Sequence, residues 1–134
     1  MSQDVITVFE HNGVKYEFDI RDADTSELFE DALDKLQAAE KELPKEGRLS
    51  TIYRAQCNML KDFFDTLFGE GAGVALCTEK SNISLCYNAY YALLDVVRTQ
   101  KDDILETKNT FSRYSNRQQQ RSKHYGSKKH NKKR

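Results

Sequence analysis

Apolar and polar positions approach a period of two along Val5-Ile6-Thr7-Val8-Phe9-Glu10-His11 and again along Val14-Lys15-Tyr16-Glu17-Phe18-Asp19-Ile20, with Asn12-Gly13 between the two runs. Both central positions of a type I′ turn need positive φ, which Asn and Gly tolerate best, so the pattern predicts a β-hairpin over residues 5–20. The turn pairs His11 with Val14, Phe9 with Tyr16, Thr7 with Phe18 and Val5 with Ile20. Those eight side chains share one face, and Lys15, Glu17 and Asp19 point to the other. An isolated hairpin is marginal in water, so that face needs cover from helices of the same molecule or from another chain.

The period then changes to a helical one. Phe29, Ala32, Leu36, Ala39 and Leu43, widened by Leu28 and Leu33, predict an amphipathic helix over 25–43 with an acidic outer face. Asp24 or Thr25 is its expected cap, and Pro44 and Gly47 close it. A second helix is predicted over 49–68, with Ser50 as a candidate cap and Ile52, Gln56, Met59, Leu60, Phe63, Phe64, Leu67 and Phe68 on its apolar face. Gly69, Gly71 and Gly73 then break it, which places Phe68 at a chain reversal. These glycines lack the spacing and the lysine of a phosphate loop and read as a helix-to-helix corner. Val74 to Cys77 fit one helical turn. Capped by Ser81 or Asn82, a third principal helix is predicted over 82–112, carrying Leu85, Cys86, Ala89, Tyr90, Leu93, Leu94, Val97, Ile104 and Leu105. Its second half is mostly charged, so it either leaves the core or waits for a partner.

Charge changes the picture at the ends. The 134 residues contain 21 acids and 21 bases, but residues 1–46 carry a net −8, residues 47–107 a net −2 and residues 108–134 a net +10. The two ends therefore present opposite electrostatic surfaces. From Ser115 to Arg134 there is no aliphatic side chain, and burial cannot repay ordering there, so this basic tail is expected to be disordered when free. The expected organisation is one α+β domain over 1–114, an N-terminal hairpin packed on three principal helices, followed by the tail at 115–134. No apolar run reaches the length of a membrane span, and Met1 to Ile6 lack the basic and apolar regions of a secretory leader, so the expected location is the cytosol.

Candidate chemistry is sparse. His11, His124 and His130 are dispersed, and Cys57, Cys77 and Cys86 match no zinc spacing, so the cysteines read as small hydrophobes of helices. Asp102-Asp103 and the set Glu27, Glu30, Asp31 and Asp34 read as solvent-facing acids rather than metal ligands. No catalytic, cofactor or metal site is assigned, which leaves binding. Phe63, Phe64, Phe68 and Tyr90 are the candidate protein-contact residues, with at least two of the corner rings expected in the core. In the tail, Arg117, Arg121, Lys123, Lys128, Lys129, Lys132, Lys133 and Arg134 suit acidic partners. Nucleic-acid phosphates are the alternative, although no recognition fold accompanies them.

Several stretches resemble a family of small tail assembly chaperones of long-tailed bacteriophages and prophages of Gram-positive bacteria. They are Gly13-Val14-Lys15-Tyr16-Glu17-Phe18-Asp19, Gly47-Arg48-Leu49-Ser50 with Arg54-Ala55-Gln56-Cys57, the corner Asp62-Phe63-Phe64-Asp65-Thr66-Leu67-Phe68-Gly69-Glu70-Gly71, and Tyr114-Ser115-Asn116-Arg117-Gln118-Gln119-Gln120-Arg121. The likeness spans residues 13–121 in order. Asn116, where a proline is common, and the basic extension after Arg121 depart from it. The resemblance implies a non-catalytic protein of the infected or lysogenic cell that binds the tape measure protein, and tail tube subunits as a second partner. It also implies absence from the finished tail. Self-association is a further partner expectation, and a membrane is not.

Overall fold

The computed structural model describes the backbone of residues 6–132 and the side chains of residues 6–115. It is a small mixed α+β fold with an N-terminal hairpin and several helices. In order these are β1 (Val8–His11), β2 (Val14–Glu17), α1 (Ala23–Lys41), α2 (Leu49–Phe68), α3 (Ala72–Cys77) and α4 (Ile83–Lys132). By internal contacts the chain divides into two units, Met1–Lys101 and Asp102–Arg134. That boundary falls inside α4, whereas the division at 114 rests on composition.

In the first unit the hairpin has the register that its turn dictates, Val8 with Glu17, Phe9 with Tyr16, Glu10 with Lys15 and His11 with Val14. Asn12 and Gly13 take φ of 54° and 82°, the positive values a type I′ turn needs. The backbone ladder continues to Phe18 N–H donating to Thr7 O at 2.9 Å. The Ile20 N–H donates to the Gln100 side chain at 2.7 Å. The expected Val5–Ile20 rung falls on Val5, which lies outside the described residues. Phe9, Phe18 and Ile20 are buried, while Thr7 at the open end stays exposed.

α1 starts two residues earlier than expected, because Asp22 rather than Asp24 or Thr25 caps it. Its carboxylate accepts from the Thr25 N–H at 3.3 Å. α2 has the expected bounds, but Arg48 occupies its cap position without a side-chain bond, and Ser50 is already inside the helix. The Gly69 N–H donates to Asp65 O at 2.8 Å with φ of 109°, so the glycine both ends α2 and turns the chain. Asp65 then accepts from the Gly73 N–H at 2.7 Å, fixing α3 against the end of α2. A Cβ at Gly73 would stand 2.4 Å from Lys61 O, so the close approach of α3 to α2 requires glycine there. Asn82 caps α4 as expected, accepting from Ser84 N–H and Leu85 N–H at 2.9 and 3.2 Å.

The core of this unit is largely aromatic where the hairpin meets α2. Phe68 is the hub, stacked on Tyr16 at 4.6 Å and on Phe9 at 5.9 Å, with Phe18 edge-on at 6.0 Å. Phe63 continues the contacts edge-on to Phe29, Phe64 and Tyr90. Such pairs add about 0.5–1.5 kcal/mol each beyond their area burial. In the second unit α4 runs helically to Lys132, beyond the expected end near 112, and Leu105, Phe111 and Tyr114 are exposed on it. The expectation of disorder over 115–134 rests on composition; the side chains from residue 116 on lie outside the described residues.

Candidate functional site

The buried stripe of α4 decides which of its side chains reach the surface. Cys86, Ala89, Leu93, Val97 and Gln100 recur at helical spacing and are buried. Tyr87, Tyr90 and Tyr91 therefore fall on the flanks of that stripe. Tyr90 leans inward, edge-on to Phe63 at 5.5 Å, and is half-buried. Tyr91 turns outward and is 56% exposed, with its ring 5.9 Å from both Tyr87 and Tyr90. The three rings form one ridge whose bodies are apolar and whose hydroxyls are polar.

Glu40 of α1 acts electrostatically on two rings of this ridge. The hydroxyl pKa values of Tyr87 and Tyr90 are pushed up first by burial, and further by Tyr91 and Glu40 for Tyr87 and by Glu40 and Tyr91 for Tyr90. Both phenols therefore stay neutral donors at physiological pH. The same Glu40 lines an open groove of about 730 Å³ where α1 ends and α2 begins, together with Lys41, Leu43, Pro44, Ile52 and Gln56. The ridge offers apolar rings with polar hydroxyls, and the groove aliphatic walls with a few charged rims, each a mixture that suits a protein partner.

The contact residues expected from the amino-acid pattern separate on this geometry. Phe63 and Phe64 are buried, so their rings offer no surface to a partner of the folded chain, which corrects their reading as contacts. The corner turns them inward because the hairpin and α1 both need ring cover. Phe68 is half-buried under Tyr16, away from the core only at one edge, and Tyr90 is half-buried within the ridge. Arg117, Arg121, Lys123, Lys128, Lys129, Lys132, Lys133 and Arg134 have side chains outside the described residues. Sequence reasoning missed Tyr87, Tyr91 and the groove; a run of tyrosines flanking the Cys86 to Val97 stripe is the signal that marks them.

The remaining polar and thiol groups of the first unit serve the core. Cys57, Cys77 and Cys86 come from three helices into one neighbourhood and are fully buried. Burial raises all three thiol pKa values, that of Cys57 to about 11, so they are neutral and poor nucleophiles. Among the described residues no group of three or more His, Cys, Asp and Glu is placed to hold a metal ion. Asp19 is held below its usual pKa chiefly by its side-chain hydrogen bond with Arg21, at 2.7 Å, an ion pair beside the start of α1. No described helix is long and apolar enough to cross a membrane.

Residues 12–125 match a family of unknown function, DUF6673, and over that span the chain belongs to it. No curated protein and no solved structure matches the chain.

Proposed function

We propose that this DUF6673 member is a non-catalytic tail assembly chaperone, which holds the tape measure protein of a phage or prophage tail in soluble form until the tube encloses it. The observation that carries the reading is the tyrosine ridge of α4, where Tyr91 is exposed and flanked by half-buried Tyr87 and Tyr90, since an exposed aromatic on a rigid helix supplies contact area at low entropic cost. The resemblance over residues 13–121 supplies the partner. A tape measure chain is long and helical and shows apolar stripes before assembly, and many small proteins can cover such stripes. Each contact must be weak enough to exchange when tube subunits arrive, and repetition along the chain supplies the total hold.

On this reading the protein works in the host cytoplasm and leaves before the tail is finished. The acidic outer face of α1 keeps coated complexes apart. The basic tail at 115–134 engages acidic segments of the same partner. Ten bases between residues 108 and 134 favour one rival reading, a nucleic-acid adaptor acting through the tail.

Co-expression with the candidate tape measure protein tests this directly. The expected result is a rise in its soluble yield and a complex with several copies of this chain per partner, largely kept after removal of residues 122–134. The adaptor instead predicts no rescue, together with selective nucleic-acid binding that falls steeply with salt and vanishes with the tail. That result would overturn the proposal.

A further inference from the structure

The hairpin is a two-stranded sheet, so among the described residues each of its strands has one edge with no strand beside it. The parity of the ladder decides which groups lie along that edge of β2. His11 and Val14 close the two-residue turn, and the Phe18 N–H still donates to Thr7 O at 2.9 Å, so Val14, Tyr16 and Phe18 direct N–H and C=O toward β1. Lys15 and Glu17 direct theirs the opposite way. Among the described residues neither has a backbone partner on that side, and both side chains are exposed. Such a row of outward groups is matched in full by another extended chain.

Charge selects which chain. If β2 pairs antiparallel with β2 of a second copy about a twofold axis, the alternation of its bonds allows the axis at a residue and not between two. With the axis at Tyr16, Lys15 faces Glu17 of the second copy and Glu17 faces its Lys15, opposite charges both times. With the axis at Lys15 or at Glu17, that residue faces its own like charge; in the second case Lys15 also meets Asp19, which Arg21 already holds at 2.7 Å. The edge of β1 offers Val8 and Glu10 and no cation to match. On the inner face Tyr16 meets its own counterpart. Its ring is half-buried, stacked on Phe68 at 4.6 Å, so a second copy covers what the fold leaves open.

We infer that the outer edge of β2 is a self-association edge, on which a second copy adds its own β2 antiparallel about Tyr16. The two hairpins become one continuous sheet. Lys15 N–H donates to Glu17 O of the second copy and Glu17 N–H to its Lys15 O, and the second copy returns both bonds. Each copy spends the same edge, so the contact closes at a dimer. It draws on none of the groups of the tyrosine ridge, so its failure would leave the proposed function standing.

Sedimentation and amide hydrogen exchange of the full chain over a range of concentration test this. The expected result is a concentration-dependent dimer whose Lys15 and Glu17 amides exchange slowly at high concentration and fast on dilution, while the Tyr16 amide, bonded within the hairpin, stays protected throughout. Lys15→Glu and Glu17→Lys should each weaken the dimer about tenfold, because one change acts at both charge pairs. Glu17→Lys is the cleaner of the two, since Glu17 faces Val8 within its own hairpin whereas Lys15 faces Glu10. Lys15→Glu combined with Glu17→Lys should restore the dimer, which an axis at Lys15 or Glu17 would not allow. Lys15→Pro removes an N–H that the hairpin does not use and should leave a monomer with unchanged circular dichroism. A monomer at every concentration would overturn the inference. So would a dimer whose Lys15 and Glu17 amides still exchange fast, a double exchange no stronger than either single change, or a monomer whose edge takes up only an extended segment of a different protein.

Discussion

Gln100→Leu tests the polar joint on which the hairpin depends. The Gln100 side chain is fully buried, accepts from Ile20 N–H at 2.7 Å, and donates to Ile6 O at 2.7 Å and Phe18 O at 2.9 Å. Leucine keeps most of the volume and removes all three partners. The Phe18 carbonyl and the Ile20 amide are deep, and leaving each unsatisfied costs about 1–3 kcal/mol. Ile6 is exposed, so water can reach its carbonyl and that contribution is small. The expected loss is therefore about 2–6 kcal/mol, a large share of a total stability of about 5–15 kcal/mol. Urea unfolding followed by circular dichroism reads the loss, and amide hydrogen exchange should show Ile20 deprotected first. Gln100→Glu gives a sign. Its carboxylate would face two carbonyls, so its folded pKa rises above the unfolded value near 4.3. The folded state then binds the extra proton between those two pKa values. Stability relative to the parent should accordingly fall as pH rises from about 4.3 through the folded pKa. A Gln100→Leu chain within about 1 kcal/mol of the parent, with Ile20 still protected, would refute the reasoning.

Three further outcomes follow from the core. Phe64→Ala should cost about 3–5 kcal/mol in urea unfolding because its ring is fully enclosed, and half-buried Phe68→Ala should cost less despite its larger number of ring neighbours. Gly73→Ala should destabilise by about 1–3 kcal/mol or more, since a Cβ there would meet the Lys61 backbone rather than a movable side-chain end; melting temperature measures it. The cysteines should resist a thiol reagent in the native state and react in urea. Because burial raises the Cys57 pKa to about 11, its contribution to stability is full below the unfolded value near 8.5 and is lost as pH rises through about 11, which alkaline unfolding curves report.

Local signals carried much of this fold. Asn12-Gly13 and the period of two determine the hairpin register, and Gly69 after Leu67-Phe68 determines the end of α2. The cap of α1 was less legible, because Asp22, Asp24 and Thr25 are all competent and only the path of the preceding chain selects Asp22. Gln100 was hidden in plain view. The apolar stripe of α4 skips from Val97 to Ile104, and the polar residue in that gap lies on the core face, but its three partners are 80 or more positions away in sequence. The convergence of Cys57, Cys77 and Cys86 is likewise tertiary and invisible to spacing. At the corner, sequence marked the rings as important without assigning their direction, and the hairpin decided it by demanding Phe64 and Phe68 as cover.

Tyr91→Ser most cleanly tests whether the ridge of Tyr87, Tyr90 and Tyr91 holds the proposed partner. Tyr91 is exposed, so the substitution should leave the melting temperature unchanged. The deciding measurement is the affinity of this variant for the tape measure protein, set beside that of the parent chain. The expected result is a fall of about tenfold or more, the loss seen when an anchoring aromatic is removed from an interface. An unchanged affinity, with the variant folded and the parent bound, would contradict it.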